Sequence, residues 1–146
     1  MMWNTRYAGT VAGHETINNY GRRFFQVRIN HRLYCVHRVV YALVNGVDCG
    51  SLDIDHIDGC ARNNNPANLR LATHSENLRN RGKPRHNTSG RKGVSWREDL
   101  QKWRAKIKID GYQKHLGYFK SIEDASAAYE SAARQYFGEF HHQPTT

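Results

Sequence analysis

The stretch from Ile54 to Asn77 constrains this chain more than any other part of it. It reads IDHIDGCARNNNPANLRLATHSEN. A short apolar run, Leu52 to Ile57, carries Asp55 and His56 side by side. A turn-rich segment follows, Asp58 to Pro66, with Gly59 and three successive asparagines. Asn68 to Ala72 alternates apolar and polar and predicts a second strand. Thr73-His74-Ser75-Glu76 has the spacing of a capping box, which predicts a helix from His74. Strand, loop, strand and helix in so short a span make a compact ββα unit, with Asp55 and His56 on its first strand and Asn77 on its helix.

The chemistry of that set is narrow. A carboxylate and an amide oxygen are hard ligands, suited to Mg²⁺, Mn²⁺ or Ca²⁺ rather than zinc. Two protein ligands leave several positions open for water and a phosphate group, which is how Mg²⁺ is usually held. An imidazole beside such an ion can take a proton from water near neutral pH. Base, ion and open coordination together point to phosphodiester hydrolysis. Asn63, Asn64 and Asn65 taken alone read as loop chemistry. Asp55, His56, Asn68 and Asn77 taken together need four coincident spacings to be loop chemistry as well.

At these residues the chain resembles the HNH, or ββα-metal, endonucleases, and the phage homing type in particular. The resemblance rests on Asp55-His56-Ile57-Asp58-Gly59, Asn63-Asn64, Asn68-Leu69-Arg70 and Asn77. It implies that His56 is the general base and that Asp55 and Asn77 hold a divalent ion, Mg²⁺ or Mn²⁺. It implies that Asn68 is catalytic in a supporting way, bracing the loop and orienting His56 through a backbone hydrogen bond. Neighbouring residues on a regular strand face opposite sides, so the first strand is expected to twist or end near Asp55.

Composition agrees with a polyanionic partner. The 146 residues hold 22 Lys and Arg against 13 Asp and Glu, a formal charge of +9, and the isoelectric point is near 9.7. Nucleic acid is the first partner such a balance suggests. Mean hydropathy is −0.82, which excludes a large core, and no apolar run reaches the ~18 residues a membrane span needs. The N-terminal MMWNTRYAG lacks the apolar segment of a signal peptide. Cys35, Cys49 and Cys60 form no CxxC pair, which argues against a zinc ribbon or a disulfide framework and fits a reducing compartment. With the phage resemblance, the expected location is the cytoplasm of a bacterial cell.

Ahead of the motif, residues 1–20 are polar and weakly patterned. Phe24 to Ile29 alternates, Asn30-His31 suits a two-residue turn, and Leu33 to Val36 is expected to pair back as a hairpin. Val39, Val40, Leu43 and Val44 recur at helical spacing from His37 to Asn45, with Gly46 as the C-terminal cap. That helix is expected to pack on the ββα unit. Segments of the form V-H-R-V-V-x-A precede the motif in the phage family, so the resemblance reaches back to about residue 30. His37 reads as a packing histidine ahead of a catalytic one.

Behind the motif, RNRGKPRHNTSGRK is basic and rich in Gly, Ser, Asn and Pro, and reads as a linker over 83–92. Arg91 and Lys92 within it are expected to lie along phosphates. A second module then runs over 93–142. Gly93 to Arg97 predicts one strand. Trp103 to Ile109 predicts another, with Trp103, Ala105, Ile107 and Ile109 alternating against Arg104, Lys106 and Lys108. Asp110-Gly111 is a strong hairpin signal, and Tyr112 to Phe119 returns as the third strand. Ser121 caps a helix with Ala125, Ala128, Ala132 and Tyr136 on one face and Gly138 after its end.

This pattern resembles the plant ethylene-response-factor DNA-binding domain, on Lys92-Gly93-Val94, Trp103, Leu116-Gly117-Tyr118-Phe119 and SIEDASAAYESAARQYFG. The resemblance implies a three-stranded antiparallel sheet whose open face enters the major groove. Arg97, Arg104, Lys106 and Lys108 fall at the DNA-facing positions, with His115 and Gln113 beside them. Ser95 stands where the plant domains carry a base-reading arginine, and His115 replaces a tryptophan, so no target sequence is implied. Residues 83–114 hold ten Lys or Arg against three acids, a net of +7, which is the charge such a face needs.

The expected architecture is therefore α+β: a ββα-metal module over 1–82, with its hairpin and helix over 22–46 and its core over 52–82, then a linker, then a sheet packed on one helix. The expected activity is metal-dependent, strand-nicking cleavage of double-stranded DNA by a monomer with no protein partner. The competing readings are a DNA-binding regulator with a silent nuclease remnant, and an RNA-directed nuclease. The intact Asp55-His56, Asn68 and Asn77 set argues against the first, and metal-dependent RNA cleavage would mark the second.

Overall fold

Two tight turns with left-handed backbone organise most of the strands. Asn30 and His31 have φ of 47° and 64°, and Asp110 and Gly111 have φ of 47° and 89°. Two successive residues of positive φ close a two-residue hairpin with the twist that its strands require. The chain is described by a computed structural model over residues 13–19, 21–84 and 86–141. The N-terminal MMWNTRYAG lies outside these described residues. The fold is α+β and divides into two compact units. One takes the chain up to His56 together with Cys60–Leu71, and the other takes Ile57–Gly59 and the chain from Ala72 onward.

In the first unit β1 (His14–Ile17), β2 (Arg23–Ile29) and β3 (Arg32–Cys35) form an antiparallel sheet in that order. β1 falls in the stretch that the sequence leaves unpatterned. It is polar on both sides, so alternation cannot reveal it, and it is held by pairing Glu15 with Phe25 and Thr16 with Phe24. Helix α1 (Val36–Asn45) follows directly and ends at Gly46, whose φ of 68° lets its N–H reach the Ala42 carbonyl. Only a residue tolerant of that backbone closes a helix in this way. Val40 and Tyr41 pack on a small core of Cys49, Ile54 and Leu69. Ile54 comes from β4 (Asp53–His56) and Leu69 from its partner β5 (Leu69–Ala72). Arg38 of α1 donates to the carbonyls of Leu52 (3.0 Å) and Gly50 (2.9 Å), which fixes the approach to β4.

In the second unit helix α2 (His74–Asn80) begins at a full capping box. The Thr73 hydroxyl accepts from the Glu76 N–H, and the Glu76 carboxylate accepts from the Thr73 N–H at 2.7 Å. The segment after α2 is more ordered than its linker-like composition predicts. Ser89 Oγ donates to Val94 O at 2.7 Å, and Asn87 Nδ2 to Arg91 O at 2.8 Å. Strands β6 (Val94–Arg97), β7 (Lys102–Ile109) and β8 (Tyr112–Phe119) form an antiparallel sheet, with a bulge at Ala105/Lys106. Gly93 enters it at φ 72°, where a Cβ would lie 2.1 Å from the Tyr129 ring and 2.6 Å from Lys106 O.

Helix α3 (Ile122–Phe137) covers one face of this sheet, capped by Ser121, whose hydroxyl accepts from the Asp124 N–H. Its buried stripe is Ala125, Ser126, Tyr129, Ala132, Ala133 and Phe137, against Val94, Ala105 and Ile107 of the sheet. Tyr136 is not in that stripe, contrary to the sequence expectation. The buried positions advance by four and three from Ala125 through Tyr129 to Ala132 and Ala133, which brings Phe137 inward. Tyr136 is left at the surface with its ring under the Lys114 ammonium, 4.9 Å from the ring centre. No helix among the described residues is long and apolar enough to cross a membrane.

Candidate active site

β4 ends at His56, and both Asp55 and His56 are buried. The strand stops at this pair and does not run on past it. Asp55 is held by Arg70, the second residue of β5. Arg70 Nε and Nη2 both donate to Asp55 Oδ2, at 2.9 and 2.8 Å, and both side chains are largely out of solvent. Both charge-assisted contacts converge on that one oxygen and hold its position. The role of Arg70 is readable only once β4 and β5 are known to pair.

His56 is positioned from two sides. Its Nε2 lies 3.1 Å from Asn64 Oδ1. An amide oxygen only accepts, so this contact asks for a hydrogen on Nε2. On the other side the His37 ring from α1 packs edge-on, with centroids 5.1 Å apart and planes at 72°. Burial pushes the His37 pKa down to about 4, helped by repulsion from His56, Arg38 and Arg22 and opposed by Asp53. His37 is therefore neutral at physiological pH, a packing residue that sits against the catalytic candidate.

The asparagine loop is a small hydrogen-bonded scaffold. Asn65 Oδ1 accepts from Ala67 N at 3.0 Å and caps a 3₁₀ turn at Pro66–Asn68. Asn68 Nδ2 donates to Asn63 O at 2.8 Å. Asn68 thus binds the backbone of Asn63 in the loop, and the side chain on the His56 ring is that of the next residue along, Asn64. The sequence marks Asn64 only as one of three similar residues, and nothing in that run distinguishes the one that turns inward.

Asn77 stands on α2 in the second unit, half-buried, with its N–H on Thr73 O at 3.0 Å. Asp55 and Asn77 offer oxygen donors only, the chemistry that Mg²⁺ or Mn²⁺ accepts through one carboxylate. Among the described residues no group of three or more His, Cys, Asp or Glu is placed to hold an ion. A carboxylate and an amide oxygen, each taken by itself, suit a hard cation rather than zinc.

The uncovered face of the second unit's sheet carries the other candidates. Cross-strand register sets Ser95 beside Arg104 and Arg97 beside Lys102, then Arg104 beside Tyr118, Lys106 beside His115 and Lys108 beside Gln113. Arg97 is paired with Asp99 through two contacts of 2.8 and 2.6 Å. Lys106 Nζ donates to Gln113 at 3.1 Å, and the His115 and Tyr118 rings lie 4.5 Å apart. Lys108 and Arg91 are exposed. Lys92 is spent differently. Its ammonium donates to Arg79 O at 2.7 Å and also to Arg81 O, and burial pushes its pKa down to about 8.

Comparison with known proteins reaches the same region. The HNH endonuclease family model matches residues 34–79, which takes in α1, the Asp55-His56 pair, the asparagine loop and Asn77. Protein 3.8 of Escherichia phage T7 is 36% identical over 104 residues, 71% of this chain and 85% of that protein. A protein of Acanthamoeba polyphaga mimivirus, described as an uncharacterized HNH endonuclease, is 31% identical over 106 residues, 72% of this chain and 54% of its own length. No solved structure matches the chain. Family model and HNH-named relative agree: the chain carries an HNH endonuclease domain over residues 34–79, a hydrolase that cuts phosphodiester bonds of DNA.

Proposed function

We propose that the protein is a homing-type endonuclease that nicks double-stranded DNA as a monomer, with the first unit supplying the base and the sheet of the second unit reading the duplex. The observation that carries this reading is the buried Asp55-His56 pair at the end of β4, with His56 Nε2 on Asn64. His56 takes the proton of the attacking water. Asn64 holds the ring through the transfer, and the neutral His37 ring limits its tilt. Asn68 braces the loop that carries Asn64. Asp55 and Asn77 would hold the divalent ion, and Arg70 holds one oxygen of the Asp55 carboxylate in position. Such an ion, Mg²⁺ or Mn²⁺, offsets the charge that builds on the phosphate and on the departing oxygen.

The second unit gives the DNA contacts their setting. A sheet with α3 on one face and Arg104, Lys106, Lys108 and His115 on the other suits the major groove. Arg97 adds to it once DNA displaces Asp99, and Arg91 extends the track. Lys92 serves by anchoring that track to α2. Resemblance to the ethylene-response-factor domain supports this use of the face, and the acids of α3, Glu123, Asp124 and Glu130, lie on the helix on the opposite side of the sheet.

Supercoiled plasmid incubated with and without Mg²⁺ tests the reading. Wild type should cut only with the ion. His56→Ala should lose about 10²–10⁴-fold in rate, while Asp55→Ala and Asn77→Ala should lose activity together with their response to Mg²⁺. Tight binding without cleavage by wild type would instead make the chain a regulator, and cleavage of RNA alone would make it an RNA-directed nuclease. Equal rates for wild type and His56→Ala would remove His56 as the base.

A further inference from the structure

The C-terminal end of α2 is tied in two directions by adjacent residues. Asn80 is buried, and its Nδ2 donates to the carbonyl of Ile57 at 3.4 Å, the residue that follows His56 in the chain. Arg79 turns the other way. Its Nη2 is ion-paired with Asp110 Oδ1 at 2.8 Å, and its guanidinium lies over the Phe137 ring, 5.2 Å from the centre. Asp110 is the first residue of the β7–β8 turn, and Phe137 is the last of α3. Lys92, just before β6, adds its ammonium to the carbonyls of Arg79 and Arg81. One short helix thus carries Asn77, reaches the residue after His56, and is fastened to the hairpin turn, the terminal helix and the entry to the sheet.

None of these contacts is needed to build the sheet. The β7–β8 turn closes on its own geometry, and the core on α3 is complete without Arg79. Nor is the pair a strong brace for stability, since Asp110 is 75% exposed and exposed ion pairs contribute little. What the arrangement does provide is orientation. A planar guanidinium held by a carboxylate at one edge and a ring beneath it fixes the rotation of α2 about its axis. The direction in which Asn77 points then depends on the module that the sheet belongs to.

We propose that Arg79 is a positioning residue that couples DNA reading to the choice of scissile phosphate, by locking the Asn77 helix to the β7–β8 turn through Asp110 and Phe137. The inference rests on the proposed reading of the sheet as the DNA-contacting face and of Asn77 as an ion ligand. Arg79 touches neither substrate nor ion in this role. Its removal loosens the helix and with it the direction of Asn77, while Asp55, the base and the sheet contacts are untouched. Misplacement of a catalytic group by about an ångström costs on the order of 10²-fold in rate, so the effect should be large where the binding change is small.

The test uses the full chain and the duplex substrate that wild type nicks best, with nick positions mapped by primer extension. Arg79→Ala should bind that duplex within about twofold of wild type and with the same salt slope. Its single-turnover rate should fall roughly 10- to 100-fold, and its nicks should spread to neighbouring phosphates. Arg79→Lys keeps the charge and should restore much of the accuracy. Asp110→Asn suits the left-handed turn position and should reproduce the spread in milder form. Combining it with Arg79→Ala should add nothing, because both remove the same ion pair. Parallel drops in binding and rate with an unchanged nick position, together with a lower melting temperature, would make Arg79 merely structural and overturn the proposal. A reduced salt slope would make it a phosphate contact and overturn it equally. Failure of wild type to nick duplex DNA in Mg²⁺ or Mn²⁺ would instead remove the functional reading beneath it.

Discussion

At the scale of single residues the site works by restricting what each polar group can do. Arg70 takes two contacts on one oxygen of Asp55, and Asn64 holds His56 at Nε2. His37 shows the cost of such restriction. Its pKa is about 4 in the folded chain and about 6.5 in an unfolded one. Between those values the unfolded state binds a proton that the folded state refuses, so stability falls as pH drops through that window and is intact above it. The whole decrease is on the order of 3 kcal/mol. Denaturant unfolding of wild type and His37→Phe from pH 7 to pH 4 should show the variant losing less stability over this range. Parallel curves would mean that His37 titrates normally and that its ring does not pack against His56 as neutral imidazole.

At the scale of elements the sheet of the second unit separates scaffold from contact by strand alternation. Ala105 and Ile107 face α3, while Arg104, Lys106 and Lys108 share the face that register assigns to Ser95, Gln113, His115 and Tyr118. Replacing Arg104, Lys106 and Lys108 together by alanine should leave the fold intact and weaken DNA binding. It should also flatten log Kd against log salt by roughly one unit for each phosphate that is no longer neutralised. An unchanged slope would move the DNA interface elsewhere. This alternation is legible in the sequence, as are both two-residue turns, the Thr73 and Ser121 caps and the glycine that ends α1, because each has a local cause. β1 is not, since its order comes from pairing with β2 rather than from any pattern of its own. The motif likewise marks Asp55, His56, Asn68 and Asn77, but not that Arg70 grips Asp55 or that Asn64 holds His56. Those partners are set by how β4, β5 and the loop meet, and residue type alone does not carry that. Lys92 reads as another phosphate-binding lysine because its linker is basic, whereas its ammonium is turned to the carbonyls at the end of α2.

For the whole molecule the number of catalytic groups limits the product. The chain contains one Asp-His pair followed by Asn68 and Asn77, and no internal repeat of that set. On the proposed reading one base activates one water at one phosphate, and a bound chain hydrolyses one strand. Cutting both strands needs a second chain on a two-fold axis or rebinding in the opposite orientation. The proposed order along the chain, base first and reading sheet after it, has no such symmetry, and it suits an asymmetric site bound by one copy. Supercoiled plasmid should therefore become open circle first. Linear DNA should follow late, only at high enzyme concentration, and with a rate that rises with enzyme while the first nick is already complete. A time course resolved on an agarose gel distinguishes the two routes. Linear product that forms from the start, without open circle ahead of it, would require two active sites acting together and would show that the working unit is a dimer.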